Sequence, residues 1–193
     1  MESLQIIGDE HQSLAAILHA IRFMLKEVAA GRLAADRQLF QAMVHYLDAY
    51  AEQRHHPKED VLFRHLATCT QEGGEALAAL ALQHAAAPAR IAALQQALAD
   101  YLADESCFDR FAEAFETYAN FYRGHMLLEE EAILPLARRV LSAADWQQVD
   151  AAFQAEAART ARAEGSEDFK ALFSRLVDCA PAPVGFGPRP WQG

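Results

Sequence analysis

The chain has 193 residues and a formal net charge of −10. That length suits one domain with a full core, and an acidic surface repels phosphate backbones, so no nucleic-acid partner is expected. Alanine, leucine and glutamate dominate, while glycine and proline are sparse before the C-terminal stretch, so helix is expected throughout and strand nowhere.

The first predicted helix covers residues 4–30, with Gly31 as its stop. Its apolar stripe runs Leu4, Ile7, His11, Leu14, Leu18, Ile21, Leu25, Val28. Steps of three and four hold these positions on one face. Asp36 caps a second helix, predicted to residue 67. Its stripe is less regular: Phe40, Val44, Leu47, Ala51, His55, Glu59, Leu62, Leu66, with a kink expected at Pro57. After a turn at residues 68–74 the third helix covers 75–103, with Leu77, Leu80, His84, Ala87, Ile91, Leu94, Leu98 and Tyr101 on one face. Ser106 is the expected cap of a fourth helix that runs to residue 140. Its stripe is Phe108, Phe111, Phe115, Tyr118, Tyr122, His125, Glu129, Ala132, Leu136. Ser142 and Asp145 form a capping-box variant that starts a fifth helix, to residue 163, and a sixth covers 166–177. The Pro/Gly-rich tail from Ala180 is expected to lie along the surface or to be disordered.

Short loops between long helices predict an all-α, up-down-up-down four-helix bundle at residues 1–140. A helical extension follows at 141–178 and a tail at 179–193. The acidic N-terminal segment has no basic signal region, and no continuous apolar run suits a bilayer, so no membrane association is expected. Cys69, Cys107 and Cys179 are far apart and odd in number, which predicts reduced thiols in a cytoplasmic protein.

The stripes carry the functional signal. Each helix places one histidine where a core residue belongs: His11, His55, His84 and His125. In an antiparallel bundle all four fall about 15 Å from one end, at 1.5 Å rise per residue. Glu59 and Glu129 follow His55 and His125 by four positions, so each pair shares a helix face. Buried imidazoles and carboxylates need partners. A donor set of nitrogen and oxygen without thiolate suits iron, manganese or zinc, and two carboxylates from facing helices can bridge two cations. His125 to Glu129 departs about 40° from one face at 100° per residue, against about 140° for Glu130. Glu129 is therefore the expected ligand, Glu130 the reserve, and Glu131 faces solvent. His19, His45, His56 and His65 lie one residue off the stripes and are expected to be solvated or to support the ligands from outside. His56, beside the kink, is a further reserve ligand. Tyr118 and Tyr122 are read either as core packing with hydroxyls that reach water or, beside a metal, as hydrogen-bond donors to a bound oxygen species.

His11, the segment HHPKEDVLF at 55–63, the histidine of LQHAAA, and HMLLEEEAILP at 125–135 resemble the hemerythrin-like HHE cation-binding family in order and separation. The similarity covers about residues 1–140. It implies a non-haem di-iron centre, oxo- or hydroxo-bridged, in a four-helix bundle of hemerythrin-like type. His11, His55, Glu59, His84, His125 and Glu129 would be its ligands, with zinc or manganese as possible substitutes. The set also resembles bacterial iron–sulfur cluster repair di-iron proteins, without their cysteine-bearing N-terminal domain. Oxygen-carrying hemerythrins have a second histidine four residues after the one matching His84, and here that position is Pro88. Four histidines rather than five would leave more than one exchangeable position. The expected ligand is a small oxidant: oxygen, nitric oxide or peroxide. A binding or sensing module, a redox enzyme, and an iron reservoir or metal-stabilised structural protein all remain open, as does the oligomeric state.

Overall fold

A computed structural model describes residues 1–163 and 169–186, and these contain no strand. The chain is an all-α, hemerythrin-like helical bundle. Helix α1 (Glu2–Ala29) is capped by a carboxylate from far along the chain. Asp150 accepts from the backbone N–H of Glu2 at 3.2 Å and of Ser3 at 2.9 Å. The helix ends before Gly31, whose φ of +70° suits glycine.

The second predicted helix is divided in three: α2 (Arg37–Tyr46), a π-helical segment (Leu47–His55) and α3 (His56–Cys69). Asp36 caps α2 as expected, accepting from Leu39 N–H at 2.9 Å. The fourth is divided likewise into α5 (Phe108–Leu128), a π-helical segment (Glu129–Ile133) and α6 (Leu134–Val140). Both π segments end two residues before a proline, Pro57 and Pro135. A proline lacks an N–H and its ring collides with the carbonyl four residues back. The wider i→i+5 turn relieves that collision without ending the helix.

Helix α4 (Gly74–Ala103) runs through Pro88. The turn before it is shorter than predicted. Gly73 at φ +75° permits that turn, and a Cβ there would lie 2.5 Å from Leu136 Cδ2. Ser106 does not cap α5. Asp104 accepts from Ser106 N–H at 2.9 Å and starts a short 3-10 turn (Glu105–Cys107) ahead of the helix. Helix α4 is also long and apolar enough to cross a membrane by length and composition, contrary to the expectation from sequence. Its outward face is largely alanine, and its inner residues Leu80, Ile91, Leu94 and Leu98 are buried in the bundle.

Helix α7 (Ala143–Ala163) starts at the predicted capping box, with Ser142 N–H donating to Asp145 Oδ2 at 2.9 Å. It packs on α3 and α1. Helix α8 (Phe169–Cys179) packs on α2 and α1, and the predicted start at Ser166 lies outside the described residues. Ala180 is fully buried and Val184 packs on the core, so the first part of the tail is anchored. Residues 187–193 lie outside the described ones. All three cysteines are free thiols.

The core is in two parts. The larger cluster gathers Ile17, Ile21, Phe40, Leu94, Phe111 and Phe115. The smaller gathers Ile7, Leu62, Leu66, Leu80, Ile133 and Phe153. On each of the four bundle paths, the polar residues singled out from sequence fall between members of these two clusters.

Candidate metal centre

The six residues expected from sequence come together in that layer. His11, His55, Glu59, His125 and Glu129 are buried, and His84 is nearly so. Glu59 Oε1 lies 3.2 Å from His11 Nε2 and 2.9 Å from His55 Nε2. Its Oε2 lies 3.6 Å from His84 Nε2 and 3.8 Å from His125 Nε2. Glu129 mirrors this, with Oε2 3.0 Å from His11 Nε2 and Oε1 3.1 Å from His125 Nε2. Each carboxylate thus faces two groups of imidazoles, one with each oxygen.

Glu130 is half exposed and approaches His11 from outside, 3.0 Å from Nδ1. Glu131 is exposed, as are His19 and His45. His65 is half-buried and 3.0 Å from Asp145, joining α3 to α7. His56 differs from its expectation. It is buried, 5% exposed, and belongs to the layer. The π segment adds about one residue to the turn that precedes it, so two consecutive histidines both face inward.

One arrangement recurs across the layer. Four imidazoles are held from outside by a hydrogen bond at Nδ1: His11 by Glu130 (3.0 Å), His55 by Glu10 (2.7 Å), His84 by Asp60 (2.8 Å) and His125 by Gln83 (2.8 Å), while His56 Nδ1 lies 3.0 Å from Glu52 Oε2 without hydrogen-bond geometry. An Nδ1–H that donates outward leaves the Nε2 lone pair free, the tautomer of a metal-ligating histidine. His84 Nε2 and His125 Nε2 then face each other at 3.3 Å. Glu59 Oε2, both oxygens of Glu129 and the Nε2 atoms of His55 and His56 are buried without a hydrogen-bond partner. Lone pairs converging in a dry core repel unless a cation lies among them. The residues therefore fit metal. Ligand atoms of His11, His55 and Glu59 lie within 4.8 Å of one another, and so do those of His56, Glu59, His84 and His125.

Without metal, protons take over part of that role. Burial disfavours charge on His11, yet the facing carboxylates of Glu129 and Glu59 outweigh it and push its pKa up to about 10. His84 is pushed up to about 10 against burial by Asp60 and Glu59. His55 is pushed up to about 9 against burial by Glu59 and Glu10. His125 falls to about 4 through burial, with His56 and His84 adding repulsion. The two carboxylates diverge. Burial and the Glu59 charge push Glu129 up to about 8, while the histidines hold Glu59 well down despite burial.

Several contributors escaped the sequence reading. Glu10 is buried, holds His55, and bonds Lys58 Nζ and Tyr50 OH. Its carboxyl stays low because His55 and Lys58 outweigh the opposing burial. Glu52 accepts from Tyr118 OH at 2.9 Å, so that hydroxyl does not reach water. Tyr122 OH is buried without a partner. The one available signal was charge beside a stripe histidine, as in Glu10 next to His11.

Comparisons with curated proteins and with solved structures found no match. The family described as the hemerythrin HHE cation binding domain matches residues 3–137, which spans all of the layer. With that match and a buried layer of converging imidazole and carboxylate donors, the chain belongs to the hemerythrin HHE cation-binding family.

Proposed function

We propose that the layer holds two cations, with iron as the expected metal, and that the centre binds or reacts with a small oxidant such as oxygen, nitric oxide or peroxide. His11, His55, His84 and His125 would supply nitrogen, and Glu59 and Glu129 would bridge. The observation that carries this reading is the placement of Glu59, whose two oxygens face different histidine groups. When bound, the metals supply redox-active Lewis acids.

The chain's own residues prepare that chemistry. The outer carboxylates and Gln83 fix each imidazole in orientation and tautomer. The apolar clusters on both sides keep water out of the layer. Glu10, which bonds His55, also lines a cavity of about 500 Å³ with Tyr46, Tyr50, Phe169 and Phe173, and none of the six proposed ligands lines that cavity.

Metal analysis of protein purified without affinity-tag metals tests the metal, with two irons per chain expected. Stopped-flow mixing of the reduced protein with each oxidant tests the function. A lasting adduct supports binding or sensing, and turnover supports a redox enzyme acting on peroxide or nitric oxide. Two irons with no reaction at all would reduce the centre to a reservoir or structural staple, and a chain that takes up no metal would overturn the reading.

A further inference from the structure

Pro88 has no donor atom, is exposed, and follows the inward-facing Ala87. Yet the layer is not short of a nitrogen. The His56 ring stacks on His84 with centroids 4.3 Å apart and meets His125 edge-on at 5.0 Å. Its Nδ1 lies 3.0 Å from Glu52 Oε2, a contact without hydrogen-bond geometry, and the other oxygen of Glu52 accepts from Tyr118 OH. Its Nε2 is buried without a hydrogen-bond partner. Its ligand atom and those of Glu59, His84 and His125 lie within 4.8 Å of one another.

We infer that His56 is a fifth imidazole ligand, serving the same cation as His84 and His125 and taking the place that Pro88 leaves without a donor. The inference rests on the dimetal reading above. It makes the two halves of the centre unequal, with two imidazoles on the His11–His55 side and three on the other. The His11–His55 side would then be the one with fewer imidazoles to hold its cation. Glu52 and Tyr118 are positioning residues that aim the His56 ring and do not touch metal.

Mössbauer spectra and iron content of the iron-57-loaded full chain test this. The wild type should give two distinct quadrupole doublets of equal area, one from each unequal half. His56→Ala should shift one doublet or lose it with its iron, leave the other in place, and regain the original spectrum with added imidazole. An unchanged spectrum and two retained irons in His56→Ala would overturn the inference while leaving the dimetal reading intact. A wild type that holds fewer than two irons would overturn the dimetal reading itself. Should His56→Ala fail to fold, Glu52→Gln supplies the decision, since a smaller shift of that same doublet supports the assignment and a spectrum identical to wild type refutes it.

Discussion

The larger apolar cluster and the polar layer beside it are carried by the same four helical paths, yet they satisfy burial by different means. Around Phe40, Phe111 and Phe115 the helices are regular, and side chains fill space with one another. In the layer two of the four paths turn π-helical, and buried nitrogen and oxygen atoms are left facing one another without hydrogen bonds. The first region is complete as protein. The second leaves donors that fit cations, so its contribution to stability would depend on what is bound.

The largest test of that difference is Glu59→Ala. Loss of a carboxylate shared by both halves should release at least one metal and cost at least about 3 kcal/mol, because buried charges lose their partner. Iron per chain and thermal unfolding measure both effects. The exposed His19→Ala, by contrast, should retain all metal and move stability by no more than about 0.5 kcal/mol. Equal metal retention in the two variants would erase the distinction between stripe and surface.

Phe115→Ala probes the other region. Removing this fully buried ring should cost about 3 kcal/mol through lost contacts and a cavity. Metal per folded chain should stay unchanged, as read by iron analysis of the native fraction. Loss of metal here would show that the regions are not independent.

The smallest expected effect lies outside both. Asp150→Ala removes the distant cap of α1 and should lower stability by about 1 kcal/mol in chemical denaturation. Partial burial opposes charge on Asp150, but hydrogen bonds from the N-terminal ammonium and Ser3 hold its pKa below the ordinary 3.8. A depressed carboxylate contributes stability that is present above the ordinary value and lost as pH falls through the lowered one. The difference between wild type and Asp150→Ala should therefore be constant near neutral pH and shrink in acid. A difference that persists at the lowest accessible pH would assign the effect to packing.

Much of the fold was legible because burial follows helical period. Every stripe position on the second predicted helix, from Phe40 to Leu66, is buried. The departures come where an element breaks the period. Leu47, Ala51, His55 and Glu59 are spaced by three successive steps of four, which would drift about 120° around an α-helix at 100° per residue. Their shared burial requires a wider turn, and that turn is what brings His56 inward. The same change after Glu129 buries Ile133 fully and leaves Ala132 half-buried, the reverse of the expected choice. Glu10, Glu52 and Lys58 were missed for another reason. Charged residues are ordinarily solvated, and only the tertiary structure shows that these face histidines or one another.

The π segment at Leu47–His55 also bears on how such a centre can change. A π turn amounts to an α-helix holding one surplus residue. Removing a single residue there, for example the exposed Gln53, would restore the ordinary winding and leave room for one of the neighbouring pair His55 and His56 to face inward. The number of imidazoles presented to the layer is thus written in chain length as well as in residue identity. One in-frame codon gained or lost in this segment, without any change of ligand identity, would suffice to alter the chemistry of the site.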